Sequence, residues 1–186
     1  MARYTAVLDT CVLVPVILAD TLLRLAEDGL FRPLWSSRII GEAADAIARV
    51  HPGEPATRVA ARLEAMNGAF EDALVVGWET VEDTITLPDP DDRHVVAAAV
   101  VGRADAIVTA NVNDFPAAVV DPLGIEIIHP DAFLLDQLDL APRRVVDVIR
   151  RQAAATRRPA LTDDDVIARL ARAGVPAFAS EVARVK

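Results

Sequence analysis

Four short apolar runs punctuate the first 130 residues of the chain. They read TAVL, ALVVGW, AIVTA and IEII, and each is a short stretch of mainly aliphatic and β-branched residues. Runs of this length and composition are typical of buried strands. We therefore predict four strands, of which the first begins at Thr5.

Helical spacing marks three stretches between these runs. Residues from about Arg38 to Val50 and from about Ala56 to Phe70 place apolar side chains on one face, which predicts amphipathic helices. The segment PLWSS is interpreted as the lead into the first helix, with Ser36 or Ser37 as its N-cap. The second half of CVLVPVILADTLLRLAEDGL is also predicted to be helical, with Gly29 as its stop. Because strands and helices alternate, the sequence predicts a parallel sheet with right-handed crossovers.

The segment LPDPDDRHVVAAAVVG combines an acidic turn with an almost wholly apolar helix. Pro88 and Pro90 exclude a helix in its first half, because each proline disfavours a helical residue before it. Asp91 or Asp92 is then expected to cap the helix RHVVAAAVV, which Gly102 ends. Since this helix is apolar nearly all round, we expect it to be deeply buried.

The character of the chain changes at about residue 137. APRRVVDVIRRQAAA predicts an amphipathic helix, TDDDVIARLARAG predicts a second one capped around Thr162 or Asp163, and VPAFASEVARV predicts a third. We therefore divide the chain into an α/β body at residues 1–136 and a helical C-terminal extension at residues 137–186.

Composition narrows the class of protein. Apolar residues make up 53% of the chain and aromatic residues only 4%, which indicates aliphatic packing of helices on a sheet. No apolar run reaches the roughly 18 residues of a membrane span, so we expect no membrane association. A single cysteine, Cys11, excludes an intramolecular disulfide and a cysteine-rich zinc site. The start MARYTAVLD enters a strand at once, so we expect no secretory signal and a cytoplasmic location.

The charge is negative overall but unevenly placed. A net charge of −9 argues against non-specific binding of nucleic acid, because phosphates attract basic surfaces. Three arginine pairs nevertheless lie close together, namely Arg143–Arg144, Arg150–Arg151 and Arg157–Arg158. They either face a polyanion or an acidic partner, or simply lie on an exposed helix face, and the sequence favours neither interpretation.

Carboxylate and amide side chains follow the predicted strands where a parallel sheet brings them together. Asp9 comes directly after the first strand, and Asp92 stands at the start of the apolar helix. Asn111 and Asp114 follow the third strand. Ligands of parallel α/β sheets bind at this edge, and several carboxylates there need a cation or protons to neutralise them. Oxygen ligands suit Mg²⁺ or Mn²⁺, so the sequence predicts a site for such an ion.

Simpler roles stay open for several acidic residues. Helix capping is enough to explain one of Asp91 and Asp92, and a turn explains Asp89. Glu42 and Asp45 lie on the same predicted helix, and each has an arginine four residues away, so spacing does not choose between them.

Three side chains near this edge have plainer interpretations. His94 is expected to pair with a neighbouring aspartate rather than with phosphate. Cys11 is expected to be a small buried side chain, because no base is placed to activate it. Asp114 is also explained by a plain turn before the dipeptide FP.

Four motifs in order resemble those of PIN-domain ribonucleases. They are VLDTCVLV, IIGEAADAI, DPDDRHVVAAA and IVTANVNDFP, and the resemblance covers about residues 4–135. Within that group the chain is most similar to the VapC type, the toxins of bacterial toxin–antitoxin pairs, and its tail resembles the helical extension of one VapC subgroup. The resemblance implies a three-layer α/β/α domain with a central parallel sheet of four or five strands and a helical C-terminal extension.

The same resemblance implies a function and its partners. The activity is that of a metal-dependent endoribonuclease with Mg²⁺ or Mn²⁺ as cofactor and RNA as substrate. A small VapB-like antitoxin is expected to block the site, and homodimerisation is expected through residues 12–40.

The resemblance also assigns roles to single residues. Asp9 corresponds to the strand-end aspartate, and Glu42 to the helical glutamate, which selects it over Asp45. Asp92 corresponds to the aspartate ahead of the apolar helix.

The fourth acidic position departs from the commonest family pattern. Many PIN domains have an aspartate where Asn111 stands, so Asp114 is expected to supply the fourth charge, with Asn111 as a neutral ligand or hydrogen-bonding group. Thr10 and Thr109 are expected to orient carboxylates or a phosphate. The expected catalytic set is Asp9, Glu42, Asp92 and Asp114, and the metal ligands within it are Asp9, Asp92 and Asp114. The expected contacts to RNA or a partner are Arg143, Arg144, Arg150 and Arg151.

Three rival functions are weighed against this hypothesis. A phosphatase of the haloacid-dehalogenase type also has an aspartate after its first strand, but it needs a second acid where Cys11 stands. A non-catalytic PIN module that binds RNA or protein is favoured by Asn111 and opposed by the acidic residues. A nuclease that acts on DNA is the third, since metal-bound carboxylates do not distinguish ribose from deoxyribose.

Overall fold

Five parallel strands form the central sheet of the computed structural model, which describes residues 4–157 and 159–186. The strands are β1 (Thr5–Leu8), β2 (Arg32–Ser36), β3 (Leu74–Val75), β4 (Ala106–Val108) and β5 (Glu126–Ile128). They pair in the order β3-β2-β1-β4-β5, so β1 and β4 lie side by side at the centre. The predicted three-layer α/β/α fold with a parallel sheet is confirmed.

Helices cover the sheet and build the C-terminal region. They are α1 (Thr10–Leu13), α2 (Val16–Glu27), α3 (Ser37–Val50), α4 (Ala56–Ala69), α5 (Glu79–Glu82), α6 (Arg93–Gly102), α7 (Ala117–Val120), α8 (Pro130–Leu140), α9 (Pro142–Ala155), α10 (Asp163–Arg172) and α11 (Pro176–Val185). The helices predicted from periodicity are α2, α3 and α4. Ser36 is the N-cap of α3, because its hydroxyl accepts a hydrogen bond from the Ile39 N–H at 3.2 Å.

Strand β2 was not predicted, because its sequence was interpreted as the lead into α3. Leu34 and Trp35 are fully buried in this strand, between β1 and β3. The Arg32 N–H donates to Tyr4 beside β1, and the Trp35 N–H donates to Ala73 on the other side. The nitrogen of Pro33 therefore points toward β3. Because β3 pairs with β2 only from Trp35 onward, no N–H is needed at Pro33, and proline is tolerated here.

Helix α6 is as deeply buried as its sequence predicted, but Gly102 has a different role from the one expected. The helix ends with Arg103 in the left-handed conformation, at φ +52°, so the residue with positive φ is not glycine. Gly102 lies inside the last turn against β2 and β3. A Cβ atom there would lie 2.6 Å from Leu34 Cδ1 and 3.0 Å from Val75 Cγ2. Gly102 is thus required for close packing of α6 on the sheet.

Replacing Gly102 with alanine is expected to lower the free energy of unfolding by about 1–3 kcal/mol, because the added methyl overpacks a closed interface. Gly41→Ala is the matched control, since nothing lies within 4 Å of a Cβ at this position in α3. The control is expected to stabilise the protein by up to about 1 kcal/mol through helix propensity. Urea denaturation of both variants measures the difference, and equal effects would contradict the packing role of Gly102.

The C-terminal helices dock on the body through buried polar contacts as well as apolar ones. Gln152 of α9 accepts a hydrogen bond from the Thr21 hydroxyl at 2.8 Å and donates to the Ile17 carbonyl at 2.9 Å. Asp131 of α8 accepts hydrogen bonds from the N–H groups of Ala177 and Phe178 at the start of α11. These contacts join α9 to α2 and α11 to α8, so the helical extension shares the core of the body.

The predicted boundary between residues 136 and 137 lies inside α8, and it stays a prediction. Thr162 and Asp165 form a capping box at the start of α10, which confirms Thr162 as its N-cap. Within the described part of the chain, every helix is too short or too polar to cross a membrane.

Candidate active site at the C-terminal edge of the sheet

Asp9 lies where β1 ends, next to the end of β4. It is nearly buried, and its N–H donates to the Val108 carbonyl of β4 at 3.2 Å. One carboxylate oxygen, Oδ1, accepts the Thr10 N–H at 2.6 Å. The other, Oδ2, accepts the Thr109 hydroxyl at 2.7 Å and the Cys11 thiol at 3.2 Å. These donors fix the orientation of the carboxylate at the edge of the sheet.

Glu42 faces Asp9 from α3. Its Oε2 accepts the Thr10 hydroxyl at 3.2 Å, so Thr10 bridges the two acidic residues through its main chain and side chain. Its Oε1 lies 3.1 Å from His94 Nε2 and 3.1 Å from Arg38 Nε. Asp45 is exposed on the same helix, one turn further on. The structure therefore brings Glu42, and not Asp45, to the edge where Asp9 lies.

Arg38 forms ion pairs with more carboxylates than its sequence position indicated. The expected pairing with Glu42 is present, and the same guanidinium also contacts Glu82 at 2.8 Å and Asp91 at 3.5 Å. One arginine thus compensates three carboxylates around the start of α6. The i, i+4 spacing predicted only the first of these contacts.

His94 pairs with Glu42 and not with a neighbouring aspartate, so that expectation is wrong. The side chain is 1% exposed, and its Nε2 donates toward Glu42 while its Nδ1 has no hydrogen-bond partner among the described residues. Burial lowers the pKa of His94 and outweighs the attraction of Glu42. We therefore assign His94 as a neutral imidazole with its proton on Nε2. The sequence placed it on the correct turn of α6 but could not show which face of that helix meets α3.

Asp92 stands at the N-cap position of α6, but its carboxylate makes no capping hydrogen bond. Asp89 is the capping residue instead, since its Oδ1 accepts the Asp91 N–H at 2.9 Å and begins the preceding turn, Pro90–Asp92. The expected N-cap position at Asp92 is confirmed, but the expected capping hydrogen bond from its side chain is absent. The carboxylate of Asp92 is left free to act elsewhere.

The acidic residues lie within electrostatic reach of one another. Burial, followed by the negative charges of Asp9, Asp89, Asp114 and Glu42 in that order, raises the pKa of Asp92 to about 6. Such a shift means that burial and the neighbouring carboxylates together disfavour the charged form of Asp92. Carboxylates from β1, α3, α6 and the loop after β4 thus share one negative field.

The loop after β4 holds the two remaining candidates. The Asn111 N–H donates to the Thr109 hydroxyl at 3.0 Å, and the Asp114 N–H donates to the Asn111 carbonyl at 3.0 Å. Asn111 is exposed, whereas Asp114 is half-buried in the turn Val112–Asp114. Thr109 is fully buried and links this loop to Asp9.

Mg²⁺ or Mn²⁺ fits the chemistry of this edge. Within residues 4–157 and 159–186, no three histidine, cysteine, aspartate or glutamate side chains are arranged as a preformed metal centre. The available donors are carboxylate oxygens, which these hard cations prefer. Burial and neighbouring carboxylates raise the pKa of Asp92, and a bound cation would favour its charged form. Asp9, Asp92 and Asp114 are the residues that would hold such an ion.

In the absence of divalent cations, Asp92→Asn is expected to stabilise the folded protein above pH 6 by about 1 kcal/mol, a value discounted for solvent screening. The folded-state pKa of about 6 exceeds the value of about 3.9 in an unfolded chain. Folded protein therefore holds this proton more tightly, and wild-type stability falls as the pH rises from about 4 to about 6. Urea denaturation in a chelator, from pH 4 to pH 8, measures the effect. Parallel stability curves for the two proteins would contradict it.

Cys11 is a hydrogen-bonded neutral thiol beside Asp9. Its sulfur also accepts the Ala110 N–H at 3.2 Å. Burial, followed by the negative charge of Asp9, raises the pKa of this thiol to about 12. The position at which a dehalogenase-type phosphatase needs a second acid is thus held by a group that is neither acidic nor nucleophilic.

The four arginines expected to contact RNA or a partner divide into two kinds on α9. Arg150 pairs with Asp147 at 3.2 Å, and Arg151 pairs with Asp28 at 2.5 Å. Arg143 and Arg144 are exposed and form no ion pair with another described residue. Arg157 is also exposed, and Arg158 lies outside the described residues.

Comparison with known families identifies this arrangement. A family model described as the PIN domain matches residues 5–113. The chain belongs to the PIN domain family. A second model, described as the VapC50 C-terminal domain, matches residues 130–184 of this PIN-domain chain. Both matches confirm the predicted resemblance to VapC-type proteins with a helical extension.

One curated relative of this PIN-domain chain bears the name "Putative ribonuclease VapC50" and comes from Mycobacterium tuberculosis (strain ATCC 25618 / H37Rv). The two are 43% identical over 94 residues, which is 50% of this chain and 55% of that protein. The chain thus spans about half the length of the curated relative it matches. No solved structure matches it.

Proposed function

We propose that this PIN-domain chain is an endoribonuclease that depends on Mg²⁺ or Mn²⁺. The observation that carries the proposal is the convergence of Asp9, Glu42, Asp92 and Asp114 at one sheet edge, with a pKa of about 6 at Asp92. The name of its relative, "Putative ribonuclease VapC50", points to the same chemistry. When bound, the ion polarises a phosphodiester and lowers the pKa of a water molecule.

The residues of the chain hold the reacting groups in place. Asp9 is fixed by Thr109 and by the main chain of Thr10, so its carboxylate meets the ion without first losing rotamer freedom. Glu42 is held by Thr10 and by the neutral His94, opposite the other acidic residues. This arrangement favours a role for Glu42 in receiving or positioning a proton of the attacking water.

Binding of RNA needs positive charge away from the acidic edge. Arg143 and Arg144 are exposed and free of ion pairs among the described residues, so they suit contacts with phosphates. Arg150 and Arg151 have acidic partners within the chain and must exchange them to bind a phosphate. We therefore assign the larger share of any RNA contact on α9 to Arg143 and Arg144.

A role as the toxin of a toxin–antitoxin pair extends the proposal. A VapB-like antitoxin that inserts an arginine would favour the charged form of Asp92, whose pKa is raised by burial and by neighbouring carboxylates, and would match carboxylates bidentately. For the proposed homodimer, residues 12–40 contribute Val16 and Leu23 of α2 to a groove whose other wall is α4 and Phe70. Val16 is 55% exposed there.

The test is incubation of the purified protein with structured RNA, single-stranded DNA and a phosphatase substrate, each with Mg²⁺ and with a chelator. We expect cleavage of RNA only, in the presence of the cation, and products that carry a 5′ phosphate. Cleavage in the chelator would overturn the metal dependence. Turnover of the phosphatase substrate, or of DNA in preference to RNA, would overturn the assignment of the substrate.

A further inference from the structure

His94 lies inside the protein on the first turn of α6, although its ring carries two polar nitrogens. The side chain is 1% exposed, and the ring of Trp78 packs against it with centroids 5.9 Å apart. Its Nδ1 has no hydrogen-bond partner among the described residues. A buried acceptor without a donor destabilises the folded state. Packing alone therefore does not explain a histidine at this position, since an apolar side chain would fill the same space without that loss.

The other ring nitrogen of His94 contacts the active site. Nε2 lies 3.1 Å from Glu42 Oε1, and Arg38 Nε donates to the same oxygen at 3.1 Å. A carboxylate oxygen has two lone pairs, so these two contacts occupy Oε1. Arg38 belongs to α3, the helix of Glu42, and His94 belongs to α6. The carboxylate is thus held from two helices, and its orientation is fixed by both.

The second oxygen of Glu42 is only partly engaged. Oε2 accepts the Thr10 hydroxyl at 3.2 Å, and the Thr10 N–H donates to Asp9 Oδ1 at 2.6 Å. One lone pair of Oε2 therefore has no donor among the described residues. The Glu42 side chain is 39% exposed, so water reaches it. Oε2 is thus the atom of Glu42 that is available to a water molecule on the side of Asp9.

We propose that His94 is a positioning residue, which holds Glu42 Oε1 so that Oε2 faces the attacking water. This role rests on the proposed nuclease function, because it specifies which atom of Glu42 the reaction uses and which side chain presents that atom. Arg38 is 34% exposed, so water competes for its contact with Glu42. His94 is buried, so its contact is closed to water and His94 itself does not touch RNA.

Steady-state cleavage of a fluorescent RNA by His94→Leu and His94→Gln is the first test. Leucine fills a similar volume without a donor, whereas glutamine carries an amide N–H near the place of Nε2. We expect the leucine variant to lose about 10- to 100-fold in kcat with KM changed less than about 2-fold, because the orientation of Glu42 changes and the binding of RNA does not. The glutamine variant is expected to recover kcat to within about 5-fold of wild type. Equal kcat values in the two variants would overturn the proposal.

Thermal unfolding separates this role from a structural one. His94→Leu removes the unpaired Nδ1, so its melting temperature is expected to equal or exceed that of wild type although kcat falls. Val96→Ala, at a fully buried position of α6, is the matched control. Its cavity is expected to lower the melting temperature and to leave kcat of the folded protein unchanged. A leucine variant with a lower melting temperature and unchanged kcat would contradict the proposal.

A measurement without RNA tests the contact between His94 and Glu42 directly. In nitrogen NMR spectra, with the signal assigned through His94→Gln, we expect a proton on Nε2 of His94 and none on Nδ1, and Glu42→Gln is expected to shift the Nε2 signal. A proton on Nδ1, or a signal that Glu42→Gln leaves unchanged, would overturn the role of His94 whatever the activity of the chain. An inactive wild type with the expected signals would instead overturn the proposed nuclease function, on which this role depends.

Discussion

Replacing Asp9 with asparagine is expected to reduce RNA cleavage by about 1,000-fold, which corresponds to about 4 kcal/mol in the activation barrier. Asparagine keeps the shape of aspartate but removes the charge that a divalent cation requires at the end of β1. Cleavage of a fluorescent RNA at saturating Mg²⁺ measures the loss. Wild-type activity in this variant would show that the acidic edge is not the catalytic site.

The fold is expected to survive this substitution. In the variant, the amide oxygen still accepts the Thr10 N–H. The amide nitrogen takes the place of Oδ2 and donates to the oxygen of the Thr109 hydroxyl, so that hydrogen bond reverses its direction. The free energy of unfolding is therefore expected to change by no more than about 1 kcal/mol.

Asp45→Asn is the matched control for Asp9→Asn. It removes the same charge from an exposed position on α3, one turn beyond Glu42, and is expected to leave cleavage unchanged. Glu42→Gln tests the choice that spacing left open between Glu42 and Asp45, and it is expected to impair cleavage where Asp45→Asn does not. A loss of activity in the Asp45 variant would show that net charge, rather than position, governs the reaction.

Replacing Phe178 with alanine is expected to lower the free energy of unfolding of the whole chain by about 3–5 kcal/mol. Phe178 lies on α11 and is fully buried. It belongs to the same continuous core as Trp35, even though the two residues come from the extension and the body. A cavity under α11 therefore weakens the packing on which the sheet also depends.

Tryptophan fluorescence makes this prediction specific. Both tryptophans, Trp35 and Trp78, lie in the body, far from Phe178 along the sequence. If the extension and the body unfold together, the fluorescence midpoint in urea moves with the loss of helical circular dichroism. Val185→Ala, a half-exposed position on the same helix, is the control and is expected to cost less than about 1 kcal/mol. An unchanged fluorescence midpoint in the Phe178 variant would show that the extension folds as a separate unit.

Local periodicity was enough to predict most of the elements. Helices α3, α4 and α6 and strands β1, β4 and β5 lie where apolar spacing placed them, because the faces of a helix or a strand repeat over a few residues. Strand β2 was missed because RPLWS is short and contains Pro33. Its identity as a strand depends on pairing with β1 and β3, which are distant in the sequence.

The positions of the acidic residues could be predicted from the sequence only in part. Chain order alone placed Asp9 and Asp114 at the same edge, because parallel strands end together. The contacts of Glu42 depend on how α3 is rotated toward Thr10 and His94. The sequence spacing of Glu42 and Asp45 does not determine that rotation.

The sequence by itself determined the fold class, the order of the elements and the edge of the sheet at which chemistry is expected. Only the tertiary structure decided that Arg38 binds three carboxylates, that His94 pairs with Glu42, and that Gly102 packs α6 closely on the sheet. The physical reason is the separation along the sequence of the residues that interact. Strand and helix patterns arise between residues a few positions apart, whereas burial, charge compensation and hydrogen-bond satisfaction depend on partners that the folded chain brings from elsewhere in the sequence.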